Sequence, residues 1–139
     1  MINTIDLKRK SSNIHGVGRR KSSVARVWLQ SAGKGTIEVN GKDYHDYFAS
    51  SEMINAIEQP LRVCGVDRSV SIKVNVSGGG VFGQAHAAKL GIARALLVMN
   101  ETFKQVLRQN GLLTVDSRVK ERKKYGQKAA RRKFQFVKR

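Results

Sequence analysis

The last twenty-two residues of the sequence carry its strongest chemical signal. Residues 118–139 hold eleven Lys or Arg and a single acid, whereas a solvated helix face normally interleaves both signs. Tyr125, Phe134 and Phe136 lie among these cations. Because cations bind phosphates and aromatic rings stack on unpaired bases, the segment predicts contact with nucleic acid. Packing of the aromatic residues on other proteins of an assembly is the alternative.

A second basic segment lies near the start of the chain. Residues 16–23 read GVGRRKSS and combine glycines with three cations and two hydroxyls. Arginine grips a phosphate with a planar fork, and serine adds neutral hydrogen bonds. We therefore predict a flexible phosphate-binding segment, with a merely solubilising loop as the alternative. Its candidate RNA-binding residues are Arg19, Arg20, Lys21 and Ser22.

Three consecutive glycines, Gly78, Gly79 and Gly80, stand between a predicted strand and a predicted helix. Backbone N–H groups at the start of a helix attract anions, so an RNA phosphate could bind there. No Lys-Ser/Thr pair follows, which excludes a nucleoside-triphosphate loop. A tight turn that needs positive φ angles explains the same glycines equally well.

The residues that usually carry catalysis or bind metals are few and scattered. His15, His45 and His86 have no cluster of ligands around them, and Cys64 is the only cysteine. Two aspartates flank His45, but an exposed turn explains that group better than a metal or acid–base site. His86 is interpreted as a surface or hydrogen-bonded helix residue. The sequence therefore predicts no enzyme, no metal site and no cofactor.

The charge is divided unevenly along the 139 residues, whose formal net charge is +17. Residues 1–26 carry seven cations and one acid, and residues 27–117 carry nine cations and eight acids. We predict a flexible arm over residues 1–15, a globular domain over 16–117 and a basic tail over 118–139. A polyanion is the simplest partner for such charge, with an anionic membrane surface as the other candidate. No apolar run is long enough for a membrane span.

Apolar patterns place the predicted elements in the middle of the chain. Alternation predicts strands over Ser23–Leu29 and Thr36–Val39, joined through Gly33–Gly35 as an antiparallel hairpin. A helix begins at Ser51 as its N-cap, and Pro60 kinks it or ends it near Gln59.

The remaining elements follow the same logic. Val70 to Val76 alternate in a strand predicted over Ser69–Val76, and a wide apolar stripe predicts a helix over Gln84–Asn100 packed on a sheet. Gly91 within that helix would allow close approach of a neighbouring backbone. A last helix starts at Thr102 and stops at Gly111. The fold class is α+β, a small sheet with packed helices.

Four stretches, in this order and spacing, strongly resemble the universal small-subunit ribosomal protein S nine family. They are GVGRRKSSVARV from Gly16, VNGKDYHDYF from Val39, VSGGGVFGQAHAAKLGIARAL from Val76, and DSRVKERKKYGQKAARRKFQFVKR from Asp116. The resemblance implies a fold like the second domain of ribosomal protein S five, with a left-handed crossover and an extended basic C-terminal tail.

The resemblance also implies a role. Family members are structural constituents of the small-subunit head that bind the 3′ major domain of the rRNA beside neighbouring proteins, without a membrane. Their tail threads through rRNA, and its tip, here Lys138-Arg139, approaches the anticodon stem-loop of peptidyl-site tRNA. The ribosome would be that of a bacterial cytoplasm or of an organelle. The tail residues implied for rRNA are Arg118, Lys120, Arg122, Lys123, Lys124, Tyr125, Lys128, Arg131, Arg132 and Lys133.

The sequence departs from the family pattern at a few positions. Val137 stands where Ser is usual, Lys133-Phe134 replaces a pattern containing Pro, and His86 stands where Gly is common. Two other functions remain open from the residues alone. One is a free-standing RNA- or DNA-binding regulator or chaperone, and the other is a nucleic-acid-modifying enzyme that uses the turn at Asp43–Asp46.

Overall fold

The protein is built on one mixed sheet of five strands, seen in a computed structural model that describes residues 14–31, 33–67 and 69–138. The order of the strands across the sheet is β1-β2-β5-β3-β4; β3 and β5 are parallel, and the other neighbouring pairs are antiparallel. The elements are β1 (Ile14–Arg20), β2 (Ser23–Gln30), β3 (Ile37–Val39), β4 (Lys42–Asp43), α1 (Tyr44–Tyr47), α2 (Ser51–Cys64), β5 (Ser71–Ser77), α3 (Val81–Met99) and α4 (Phe103–Gln109).

The core lies between one face of this sheet and the helices. Alternation in β2 buries Ala25, Val27 and Leu29, and in the register of the sheet Val27 is opposite Val74 of β5. Helix α3 lies across β1 and β2, and α2 packs beside α3. The wide apolar stripe of α3 is buried as predicted, because the helix faces the sheet and a second helix at once. The predicted α+β class is confirmed.

Strand β1 and helix α3 approach so closely that glycine is required on both. A Cβ atom on Gly16 would lie 2.2 Å from the backbone oxygen of Gly91, and one on Gly18 would lie 1.9 Å from that of Ala87. A Cβ atom on Gly91 would lie 2.6 Å from Cγ2 of Val27. The close approach expected at Gly91 is confirmed. The flexible segment expected over residues 16–23 is wrong, because these glycines belong to a packed edge strand.

The hairpin predicted between Ser23–Leu29 and Thr36–Val39, which correspond to β2 and β3, is also wrong. Strand β2 pairs with β1 and β5, while β3 pairs with the opposite side of β5 in a parallel register. The tight connection Lys21-Ser22 gives β2 its hairpin partner in β1, and Lys21 has a φ of 52° there. The chain from β3 to β5 crosses over through α1 and α2. The left hand implied for this crossover stays a prediction.

Helix boundaries differ from the predicted ones by a few residues. The N-cap of α2 is Ser50, not Ser51, and the helix continues through Pro60 to Cys64 before Gly65 ends it with a φ of 66°. The predicted end near Gln59 is therefore wrong. Pro60 is buried in the last helical turn and packs into the core, which compensates for the backbone hydrogen bond it cannot donate. Helix α3 starts at Val81, earlier than the predicted Gln84.

The described residues begin inside the sheet at one end of the chain and leave the globular domain at the other. Ile14 is buried in β1, so residues 14 and 15 belong to the sheet and not to the predicted arm, whose residues 1–13 lie outside the described residues. After α4, Gly111 adopts a φ of 66° as the predicted stop, and Leu112 is buried. Residues 118–138 contain neither helix nor strand. No helix within the described ranges is long and apolar enough to cross a membrane.

Candidate nucleic-acid interface

The tail presents its cations and aromatic rings to solvent. Every Lys and Arg from position 118 to 138 is exposed, and Tyr125 and Phe136 are 94% and 89% exposed. Exposed rings of this kind are available for stacking on nucleic-acid bases. Seven of the ten described tail cations take part in no ion pair among the residues that the structure describes: Lys120, Arg122, Lys123, Lys128, Arg132, Lys133 and Lys138.

Asp116 fixes the start of the tail to the globular domain. Arg20, at the end of β1, donates a hydrogen bond to its Oδ2 atom. Arg118 donates to the same carboxylate from Nη2 at 2.7 Å and from its backbone N–H at 3.1 Å. These Arg118 bonds, followed by that from Arg20, hold the pKa of Asp116 well below its usual range. One carboxylate therefore joins a core strand to the first cation of the tail.

A second carboxylate closes a loop inside the tail. Glu121 accepts hydrogen bonds from Arg131, with Nε lying 3.1 Å from both carboxylate oxygens, and Lys124 lies 3.6 Å away. The chain turns at Gly126, whose φ is 68°. The bond from Arg131 lowers the pKa of Glu121. The tail thus folds back on itself locally, which its charge pattern did not indicate.

The two phosphate-binding segments predicted near residues 16–23 and 78–80 lie side by side. The Oγ atom of Ser23 donates to the carbonyl oxygen of Gly78 at 3.1 Å, and Gln84 donates to the same oxygen at 3.1 Å. Gly78 and Gly79 have φ angles of 71° and 62°, so the tight-turn interpretation is confirmed. Phosphate binding there stays a prediction.

The predicted basic residues of the β1–β2 connection have different surroundings. Arg19 and Lys21 are exposed, and Ser22 is exposed between them and the glycine turn. Arg20 is only 17% exposed and is committed to Asp116. The segment therefore divides into two solvent-facing cations and one structural arginine, a division that composition alone could not indicate.

A cavity of about 190 Å³ that the sequence did not reveal lies between β1, α3 and the chain after α4. Burial, followed by the charges of Arg20 and Lys89, lowers the pKa of His86. Burial and Arg20 also lower the pKa of Lys89. In the sequence, only the three-residue spacing of His86 and Lys89, which puts them on one side of a helix, could have indicated this cavity. The lining residues are Arg19, Arg20, His86, Lys89, Leu90, Gly111, Leu112, Thr114 and Asp116.

The histidine between two aspartates is part of a helix cap. Oδ1 of Asp43 accepts a hydrogen bond from the backbone N–H of His45 at 2.9 Å, which caps α1. Within the described ranges, no three His, Cys, Asp or Glu side chains form a group that could hold a metal. His15 lies on the opposite face of the sheet, with its ring 5.3 Å from that of Trp28.

The chain is a small α+β domain with an exposed cationic tail and basic side chains beside a glycine turn. The family model "Ribosomal protein S9/S16" matches residues 18–139 of this chain. The chain belongs to this ribosomal protein family, as its resemblance predicted, and is a structural component of the ribosome and not an enzyme.

Curated relatives agree with the family assignment over nearly the whole chain. "Small ribosomal subunit protein uS9" of Cytophaga hutchinsonii is 54% identical over 91% of this chain and 98% of its own. The proteins of the same name from Christiangramia forsetii and Mesoplasma florum are 48% and 52% identical. They cover 91% and 89% of this chain and 98% and 94% of their own lengths.

Proposed function

We propose that this protein is a constituent of the small ribosomal subunit that binds its rRNA, and that the tail tip contacts peptidyl-site tRNA. The observation that carries the proposal is the exposed tail, in which seven described cations have no ion-pair partner among the described residues. Phosphates attract such cations because binding releases condensed counterions. The ribosomal family membership and the small-subunit names of the relatives support rRNA as the polyanion.

The globular domain docks through the surface where the β1–β2 connection meets the glycine turn. Arg19 and Lys21 supply charge there, Ser22 supplies a hydroxyl, and Gly80 precedes the free N–H groups of α3. This set can position phosphates without reading bases. Neighbouring proteins of the subunit head complete the surroundings.

The tail leaves this surface in a direction that Asp116 fixes through Arg20 and Arg118. Beyond the Glu121–Arg131 loop, the cations extend toward the tip and are stabilised by rRNA phosphates. Lys128 lies 5.7 Å from the ring centre of Phe134, so cation and ring can engage one nucleotide together. The tip consists of exposed Val137, exposed Lys138 and Arg139, which lies outside the described residues.

The test of the tip uses small subunits reconstituted with the Lys138→Gln/Arg139→Gln variant. We expect normal incorporation into the subunit and about tenfold weaker peptidyl-site tRNA binding, because a charged hydrogen bond contributes roughly 1.5–3 kcal/mol. The matched control is Lys104→Gln/Arg108→Gln, which removes two exposed cations from α4. Equal tRNA affinity for both doubly substituted subunits would refute the tip contact.

The test of rRNA binding removes residues 118–139 altogether. We expect the truncated domain to fold but to leave the small subunit during washing at moderate salt, since most phosphate contacts are lost. The full chain should co-sediment with the subunit through the same wash. A full chain that washes off would support a free-standing RNA-binding protein and refute the ribosomal proposal.

A further inference from the structure

The cavity between β1, α3 and the segment after α4, here called the His86 cavity, is lined by two side chains whose buried nitrogen atoms have no hydrogen-bond partner among the described residues. Among the residues that the structure describes, three buried side-chain polar atoms have no hydrogen-bond partner, and two of them are Nε of Arg20 and Nε2 of His86. Both side chains line the His86 cavity. Both atoms are covered by neighbouring protein atoms, and a buried polar atom without a partner costs free energy. A side-chain movement that brings these atoms to an anion in the cavity would therefore be favourable.

The charge around the cavity is strongly positive. Arg19, Arg20 and Lys89 line it, and its one carboxylate, Asp116, is already occupied by Arg20 and Arg118. An anion entering the cavity would therefore meet an excess of cations and not a free carboxylate. Burial, followed by the charges of Arg20 and Lys89, disfavours protonation of His86, and an anion would offset the effect of those two charges.

We propose that the His86 cavity binds one phosphate group of the rRNA backbone, held by Arg20, His86 and Lys89. A volume of about 190 Å³ accommodates a phosphate and leaves room for its two ester links. The three side chains offer a guanidinium Nε–H, an imidazole N–H and an ammonium, all donors suited to phosphate oxygens. The proposal deepens the proposed rRNA-binding function and rests on it.

The geometry also gives this phosphate a structural consequence. Arg20 contributes its Nη1 atom to Asp116, and its buried Nε atom has no hydrogen-bond partner among the described residues, so a small rotation of the guanidinium would bring Nε to a phosphate in the cavity. The same arginine would then join bound RNA, the core strand and the start of the tail. Docking of the domain and orientation of the tail would be linked through a single side chain.

The direct test titrates the full-length protein with sulfate and follows the histidine rings by nuclear magnetic resonance. Sulfate mimics a phosphate, and its charge stays constant near neutral pH. We expect the His86 signals to move saturably, with His15 and His45 as internal controls on other surfaces. Signals of His86 that move no more than those of His15 and His45 would overturn the proposal.

The pH dependence gives a second readout of the same titration. The charged groups near His86 are Arg20, Lys89, Glu52 and Asp116. A bound anion favours the imidazolium, so sulfate should raise the pKa of His86. For the same reason, sulfate should bind more tightly as the pH falls and the His86 ring becomes protonated. The His86→Gln variant should lose this pH dependence. Unchanged pH dependence in that variant would count against the site.

Binding to a fragment of small-subunit rRNA separates this proposal from the proposed function. Lys89→Gln should weaken binding about tenfold and lower the slope of log K against log salt by about one. The control Lys104→Gln removes an exposed cation from another surface and should change binding little. Equal losses for the two variants would refute the cavity site and leave rRNA binding intact. A wild-type chain that does not prefer the fragment over unrelated RNA would refute the function itself, and the sulfate titration would then decide the cavity alone.

Discussion

Arg20 and Asp116, which lie 96 positions apart in the sequence, form an ion pair between the end of the first strand and the start of the tail. Arg118 binds the same carboxylate from the tail side. The charged tail and the globular domain are thus joined by one side chain placed between two guanidinium groups. Its neutralisation should release the tail without disturbing the core.

Replacing Asp116 with Asn should loosen the start of the tail. The neutral amide cannot hold both guanidinium groups, so residues 117–120 should be cleaved faster by trypsin in the free protein, while cooperative unfolding of the domain changes little. Glu121→Gln is the control, because it removes a carboxylate that contacts only tail cations. Equal cleavage rates after Arg118 in the two variants would contradict the role of Asp116.

The ion pairs of Asp116 with Arg20 and Arg118 should persist at acidic pH. The pKa of Asp116 is lowered in the folded protein, so its contribution to stability is present above the unfolded value and disappears as the pH falls through the folded one. The midpoint of the Asp116 carboxyl signal, followed by carbon-13 resonance, should therefore lie below that of an unfolded peptide containing residues 112–120. Coincident midpoints would show that the ion pairs do not form in solution.

Gly18→Ala should destabilise the domain strongly. The new Cβ atom would lie 1.9 Å from the backbone oxygen of Ala87, and separation of β1 from α3 should cost about 1–3 kcal/mol or more. Gly91→Ala should cost less, because its nearest neighbour, Cγ2 of Val27, lies farther away at 2.6 Å and is a side-chain atom, not a backbone atom. Gly80→Ala is the control, with no atom within 4 Å and a φ of −100°. Denaturant unfolding measures all three, and equal losses would contradict the close approach.

The protonated phenol of Tyr44 should stabilise the folded domain, and this stabilisation should be lost at high pH. Burial, together with its hydrogen bond of 2.7 Å to Glu58, raises the pKa of this phenol from 10.0 to about 12. Because the folded pKa is raised, the contribution is complete below the unfolded value and is lost as the pH rises toward 12. Unfolding at a series of alkaline pH values should show this loss in the wild type but not in Tyr44→Phe. Parallel curves would contradict it.

Glu121→Gln should strengthen binding of the free protein to RNA. The substitution releases Arg131 and Lys124 from their shared carboxylate and removes the only acidic side chain of the tail. The slope of log K against log salt should steepen by about one to two, at roughly 0.7–0.9 for each additional phosphate that the tail neutralises. Fluorescence anisotropy with a single-stranded RNA measures it. An unchanged slope would show that the loop opens on RNA at no cost.

The elements that sequence could predict are those whose signal is local. Alternation marked β2 and β5, and the apolar stripe marked α3, because each pattern lies within one segment. Strand β1 was missed because its inward positions include Gly16 and Gly18, which bury no side chain and so leave no apolar pattern. Only the helix they contact, about seventy residues later, explains them.

In the candidate interface too, sequence could predict the local features but not those that depend on the fold. Composition was sufficient to find the tail, because an excess of charge needs no structure to be recognised. The His86 cavity could not be found, since Arg20, His86 and Asp116 come from three distant segments that only folding brings together. The internal pairing of Glu121 with Arg131 was missed for a similar reason, as a single acid among cations gave no indication of its partner.

The position of Leu112 has a consequence for how the protein is made. It is the last buried apolar residue of the core among the described residues, and the main run of cations begins only at Arg118. During synthesis from the N-terminus, the last buried residue of the core therefore precedes the main run of cations, and domains generally fold as units. The apolar residues that form the core are thus made before the most strongly charged part of the chain.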